Sequence, residues 1–397
     1  MLLSALLLLL TGATLANDGV YYVSGNQLVP VKESDISVTK EILTIEIGDD
    51  EYASVEVYYE FTNNGPAKTV TMGFEAFLPY DGGESILNPK GIHPYIKDFK
   101  ALFNGTSLPY STGVLALTDG YGTTDMKPLD MRKWRYSFNG YADNYSHQWD
   151  MNSGFLTNGR DTIQNAACAY YFEAKFKTGK NIVLHTYRYR MSGDVMHEFT
   201  IPYMLTPATR WANHQIDDFT LRITAPKSIK QFYIPDDIFR SAPFRVVSGT
   251  GKTRHCDKNE ENSIWVNYTE VTLRHGAVEW KARNFRPTDE LSIRSAKGLY
   301  ANSWAGTYYN TTPFWCSDEV DSQLFYGRPN CSEEEEKALA KRIRRNLPYA
   351  ARGYVFRDKN LQNFFNHQWW YMPDPNWKMS TDDFTKHDWE LINGSPE

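Results

Sequence analysis

Apolar and polar side chains alternate residue by residue through much of the first 300 positions, and a period of two fits half-buried strands rather than helices. Ile36 and Val38 form one short run, and Leu43, Ile45 and Ile47 form a second. Val55, Val57, Tyr59 and Phe61 mark one face of a strand whose other face carries Glu56, Tyr58 and Glu60. Asn63-Asn64-Gly65-Pro66 has turn chemistry, because Asn and Gly tolerate positive φ, and Val70, Met72 and Phe74 resume the alternation. Residues 55–74 therefore read as a hairpin. The pattern returns at 182–190, at Phe219, Leu221 and Ile223, at Ile264, Val266 and Tyr268, and through 271–273, 278–280 and 291–293. Many short strands with turn signals predict a mainly β chain, with one or two antiparallel β-sandwich domains over residues 17–300. Within that region, residues 111–165 are rich in Gly, Asn, Asp and Tyr, with little period beyond Trp134, Tyr136 and Phe138. They read as a long irregular insertion.

The chain can fill such a core. It is 41% hydrophobic and 23% charged, outside the range of disordered chains. A net charge of −6 excludes a nucleic-acid binder of the usual basic kind. Aromatic residues make up 15%, which suits strands and surfaces that face carbohydrate or a partner.

After a linker at 301–331 the periodicity changes from two to that of a helix. Ser332 with Glu335 has the capping-box spacing, and Leu339, Ile343 and Leu347 fall on one helical face. Glu333 to Glu336 load the helix start with negative charge, and Lys341, Arg342, Arg344 and Arg345 load its end with positive charge, as the macrodipole favours. Pro348 is expected to stop the helix. Asp358 is placed to cap a second short helix carrying Leu361, Phe364 and Phe365. Residues 332–373 thus read as a small α-helical module, and 374–397 as a tail.

Residues 2–10 are an apolar run, followed by small residues ending at Ala16. This is the pattern of a signal peptide over residues 1–16, and it is too short to span a bilayer. No Cys follows the expected cleavage point, which argues against a lipoprotein. The mature chain is expected outside the cytoplasm, periplasmic or extracellular, and not spanning a membrane. Four cysteines, Cys168, Cys256, Cys316 and Cys331, are disulfide candidates in that oxidising setting. The favoured pairing is Cys316–Cys331 and Cys168–Cys256, with free buried thiols as the alternative.

Catalytic motifs fall short on spacing. Gly249-Thr250-Gly251-Lys252-Thr253 mimics the end of a phosphate-binding loop, but position 246 is Val where Gly is required, so the segment reads as a turn. His197-Glu198 lacks the second His of a zinc-protease motif. His255-Cys256-Asp257 places three ligand types side by side, yet adjacent residues rarely converge on one ion. The acid pairs Asp217-Asp218 and Asp236-Asp237 read as solvated turn residues, and no GxSxG elbow occurs. No catalytic residue, metal ligand or cofactor is assigned.

Two stretches resemble known families. Residues 345–356, Arg-Asn-Leu-Pro-Tyr-Ala-Ala-Arg-Gly-Tyr-Val-Phe, with Leu361-Gln362, Phe364-Phe365 and Gln368-Trp369-Trp370-Tyr371, resemble the YARHG domain, a small module of exported bacterial proteins with no established activity. The name-giving motif is altered: Ala351 stands where Arg is usual and Arg352 where His is usual. The larger region resembles a bacterial envelope family, domain of unknown function 4424. That likeness rests on short pieces such as Ser34-Asp35-Ile36-Ser37, Phe77-Leu78-Pro79, Phe103-Asn104-Gly105, His185-Thr186-Tyr187 and Asn284-Phe285. It brings no catalytic residues. Both likenesses imply a bacterial source, in which the six Asn-x-Ser/Thr sites stay bare.

The expected function is therefore non-catalytic: an extracytoplasmic cell-envelope protein that binds cell-wall glycan (peptidoglycan) or an envelope protein partner. The candidate contact residues are the basic and aromatic ones of the module, Arg344, Arg345, Tyr349, Arg352, Tyr354, Trp369, Trp370 and Tyr371. The same residues suit, still better, a helix end that complements its dipole and a small core that needs every ring it has. The alternative is an envelope hydrolase whose site sequence motifs do not reveal.

Overall fold

The computed structural model describes residues 25–30, 35–77, 87–116, 128–138, 154–163, 166–192, 197, 199–225, 230–258, 266–295, 333–366, 368–380, 382, 384 and 386–393. Among them the chain forms strands β1 (Gly25–Pro30), β2 (Ile36–Ile47), β3 (Tyr52–Asn63), β4 (Lys68–Phe77), β5 (Ile96–Phe103), β6 (Thr106–Leu108) and β7 (Ser111–Ala116). Next come β8 (Arg135–Phe138), β9 (Gly154–Thr157), β10 (Thr162–Ile163), β11 (Ala166–Phe176), β12 (Gly179–Arg190) and β13 (Thr200–Tyr203). The body ends with β14 (Ile216–Ala225), β15 (Lys230–Pro235), β16 (Arg245–Cys256), β17 (Tyr268–Phe285) and β18 (Leu291–Ser295). Three helices follow: α1 (Glu333–Ala351), α2 (Lys359–Asn366) and α3 (Lys386–Asn393). The molecule is mainly β, with a large antiparallel-rich sheet and a small C-terminal helical module.

The large sheet has 15 strands in the order β6-β5-β12-β3-β2-β14-β17-β15-β18-β13-β1-β4-β11-β7, with β16 on β17. It closes on itself as a sandwich. Phe74 of β4, near one end of the order, meets Phe99 of β5 at 5.3 Å and Tyr187 of β12 at 4.8 Å, near the other end. Phe176 of β11 likewise lies 5.0 Å from Phe103 of β5 and 5.8 Å from Phe61 of β3. One core of Val, Ile, Leu and aromatic side chains fills the space between the layers.

The two runs read at 36–38 and 43–47 have opposite parity, so a regular strand would turn one of them to solvent. The structure resolves this within a single strand. A register shift between Val38 and Lys40 flips the phase of β2, and Ile36, Val38, Leu43, Ile45 and Ile47 are all buried.

The hairpin expected over 55–74 does not form. β3 pairs with β2 and β12, whereas β4 pairs with β1 and β11. The Asn63–Pro66 segment is a corner between layers. Asn63 accepts from the Gly65 amide and donates to the Pro66 carbonyl, while Lys68 is bonded to Asp35 at 2.6 Å. Both edges of β3 already have partners, so the chain has to leave the layer.

The insertion at 111–165 is more regular than expected. It supplies β7 to the large sheet, and β8, β9 and β10 form a separate three-stranded sheet. Leu156 is buried there against Val114 and Ala166, with Trp134 and Met131 beside them. The segment Gly249–Thr253 lies inside β16 rather than in a turn. Gly249 and Gly276 face each other with φ of +74° and +105°, and a Cβ on Gly249 would lie 2.0 Å from the His275 carbonyl oxygen. The close approach requires glycine there.

The Cys168–Cys256 disulfide does not form; both thiols are free. Cys168 sits on β11 opposite Ala76 and Val114, and Cys256 sits on β16 opposite Tyr268, so the two strands do not bring them together. Burial pushes the Cys168 thiol up to about 12. Cys316 and Cys331 lie outside the described residues. Among the described residues, no helix is long and apolar enough to cross a membrane.

Candidate functional site: the module and its seat

Helix α1 buries Ile343, Leu347 and Ala350, one stripe at helical spacing. Pro348 lies inside it, and the helix continues to Ala351. A proline in the last turn forfeits one hydrogen bond while its fixed φ remains helical. The stop is Gly353, at φ +91°. Its amide bonds to the Ala350 carbonyl at 2.9 Å and the Tyr354 amide to that of Tyr349 at 3.0 Å, the paired bonds of a Schellman cap. Asp358 caps α2 as expected, accepting from the amides of Asn360 and Leu361 at 3.0 Å each. Leu361 and Phe365 of α2 join Trp370 and Tyr371 in a second core, separate from that of the sandwich.

The structure places the sequence-derived candidates in three settings. Arg352, Trp370 and Tyr371 are buried. Arg352 bonds to Asp388 of α3 at 2.8 Å and to the Pro348 carbonyl at 2.9 Å, with its guanidinium 4.1 Å from the Phe384 ring centroid. The Tyr371 hydroxyl donates to the Tyr354 carbonyl at 2.6 Å, and burial raises its pKa. The module thus continues past Pro373: α3, within what reads as a tail, supplies the partner of a buried arginine.

Trp369 is in the second setting, the seat of the module on the body. Its indole N–H donates to Glu270 of β17 at 2.9 Å, and Arg254 of β16 stacks over its ring at 4.3 Å. Glu270 is fully buried and also accepts from Arg254 at 2.8 Å and from Gln231 at 3.1 Å. Lys252 donates to the carbonyls of Trp369 at 3.1 Å and Tyr371 at 2.9 Å, and desolvation lowers its pKa. Arg274 of β17 donates to the Met372 carbonyl. A Cβ on Gly353 would lie 2.7 Å from that guanidinium. The lysine of the apparent phosphate loop is therefore a clamp on the module's backbone.

The third setting is the module's surface, where Tyr349 and Tyr354 are half-exposed. They belong to a ribbon of five rings in successive contact: Trp377 to Tyr354 at 5.4 Å, Tyr354 to Tyr349 at 6.4 Å, Tyr349 to Phe384 at 5.5 Å, and Phe384 to Trp389 at 5.4 Å. Trp377 and Phe384 are half-exposed and Trp389 is 39% exposed. Arg345 is exposed and bonds to the Ile392 carbonyl of α3 at 3.0 Å, near the Trp389 end, and Arg344 is half-exposed. Sequence reading missed Trp377, Phe384 and Trp389. The available signal was three large aromatics among polar residues, which a purely solvated tail has no reason to carry.

Residues 330–393 match the YARHG domain. No curated protein matches the chain. Among solved structures, a provisionally assigned nutrient binding protein from Legionella pneumophila is 17% identical, over 95% of this chain and 99% of that one, with a TM-score of 0.48. An M1 zinc metallopeptidase from Deinococcus radiodurans is 11% identical, over 66% of this chain and 42% of that one, with a TM-score of 0.25. Both lie below the similarity at which a shared function follows.

Proposed function

We propose that this chain is an exported envelope protein that binds cell-wall glycan through the aromatic ribbon of its C-terminal module. The observation that carries this reading is the line of five partly exposed rings from Trp377 to Trp389. A sugar ring presents a face of C–H groups, and an aromatic face covers it without needing charge. Successive rings suit successive sugars of a linear chain. Arg345 lies near the Trp389 end of the ribbon and, with its neighbour Arg344, favours anionic groups on the glycan. Arg352, Trp370 and Tyr371 hold the ribbon's scaffold, and Trp369 fixes it to the body. The β body, with its resemblance to domain of unknown function 4424, is the platform. Export by residues 1–16 brings the chain to the wall.

The test is retention of the purified chain on insoluble peptidoglycan sacculi. Replacing Trp377 and Trp389 together by Ala is expected to weaken retention about tenfold or more, the scale of one or two stacking contacts. A folded double variant that binds as well as the parent would rule out the ribbon. A parent that ignores sacculi but captures an envelope protein would move the function to a protein partner.

A further inference from the structure

Of the residues that the sequence sets side by side as His255-Cys256-Asp257, His255 stands between Asp257 and a third acid, Asp236. Asp236, the residue after β15, is 4% exposed. Its Oδ2 accepts from the Thr269 hydroxyl at 2.7 Å and faces His255 Nδ1 at 2.7 Å. Its other oxygen, Oδ1, is buried with no hydrogen-bond partner. The carboxylate therefore sits behind the imidazole as the partner of Nδ1, which leaves Nε2 as the nitrogen turned toward Asp257. His255 is 55% exposed by side chain, and its Nε2 looks outward to Asp257 Oδ1 at 3.4 Å. That separation is beyond an ordinary charge-assisted hydrogen bond. Two ligands about 2.1 Å from a tetrahedral ion stand roughly 3.4 Å apart.

We propose that His255 Nε2 and the Asp257 carboxylate, backed by Asp236, form a surface site for a zinc-type divalent transition metal. Imidazole with carboxylate suits zinc, and a carboxylate on the far nitrogen of a ligating histidine is the usual outer support of such sites. A cation on Nε2 also places positive charge beside a buried carboxylate with one unpartnered oxygen. Among the described residues no three His, Cys, Asp or Glu groups converge on one ion. The site therefore offers two ligands and leaves the remaining positions to water or to an oxygen of a bound molecule. Cys256, between the two ligands in sequence, interacts instead with Tyr268.

Calorimetric titration of the full chain with zinc chloride, with His255 followed by NMR, tests the site. The expected result is one saturable site that perturbs His255 and disappears in His255→Gln. Asp257→Asn, at a 90% exposed side chain that the fold does not need, is expected to weaken it. Asp236→Asn is expected to weaken it about 10- to 100-fold. Because the chain has nine histidines, zinc binding that survives His255→Gln unchanged would overturn the proposal. So would the absence of saturable binding, or Asp257→Asn binding as tightly as the parent.

Discussion

The β body buries some polar side chains without partners, whereas the buried arginine of the helical module is matched on every side. In the module, the buried guanidinium of Arg352 is matched by the Asp388 carboxylate, the Pro348 carbonyl and the Phe384 ring. In the body, His185 is fully buried with no partner on either ring nitrogen, and the hydroxyl of Tyr187 is buried without a partner as well. Both lie in the sandwich core, where His185 and Tyr187 stack at 5.9 Å. A 15-stranded sandwich has apolar area enough to carry such groups, whereas a small module has not. A polar network of the body, Glu270 with Arg254 and Gln231, lies where the module sits.

The largest effect is expected from Asp388→Ala. It leaves Arg352 buried without its counter-charge, and loss of one partner of a buried pair costs about 3–5 kcal/mol. Denaturant unfolding followed by tryptophan fluorescence should show the module melting before the body. If both regions shift together, they are one cooperative unit and the contrast fails.

The next effect is a dependence on pH confined to the body. Burial depresses the pKa of His185 to about 3. An unfolded histidine titrates near 6.5. Between these values the unfolded chain holds a proton that the folded chain refuses, so stability falls as pH drops from about 6.5 toward 3 and is unaffected by this group above 6.5. Comparing melting temperatures of the parent and His185→Phe across that window checks it. The variant should lose about one proton's worth of slope.

Trp369→Phe keeps the ring over Arg254 but removes the bond to Glu270. It should cost about 1–3 kcal/mol at the seat, because a buried carboxylate loses a donor. Hydrogen exchange at the seat should rise while the sandwich core stays protected. The smallest effect has the opposite sign: Tyr187→Phe removes a buried unpartnered hydroxyl and should raise stability by up to about 1 kcal/mol. A loss of stability instead would mean that the hydroxyl is bonded in solution.

Much of the fold was legible in the sequence, and little of this contrast. Alternation names the buried face of β3 and β14 correctly, because period two is a property of a single strand. It cannot name a strand's neighbours, which is why 55–74 reads as a hairpin although β3 and β4 belong to different layers. Nor does it place a bulge such as the one between Val38 and Lys40. In the module, the Asp358 cap is local chemistry and was readable. The roles of Arg352 and Trp369 were not, because each depends on a residue far along the chain: Asp388 in one case, Glu270 and Arg254 in the other. The ribbon was half visible, through Tyr349 and Tyr354. Its other half stands beyond Pro373 and Pro375, where the helical period is interrupted.

Retention on sacculi at low and high salt, for the parent, for Arg344→Gln/Arg345→Gln and for Trp377→Ala/Trp389→Ala, separates stacking from charge. Stacking predicts that the parent stays bound in high salt, that the arginine variant loses only the salt-sensitive part, and that the tryptophan variant is released at either concentration. Binding that disappears in high salt and in the arginine variant, yet survives without the two tryptophans, would contradict a glycan site built on the ribbon.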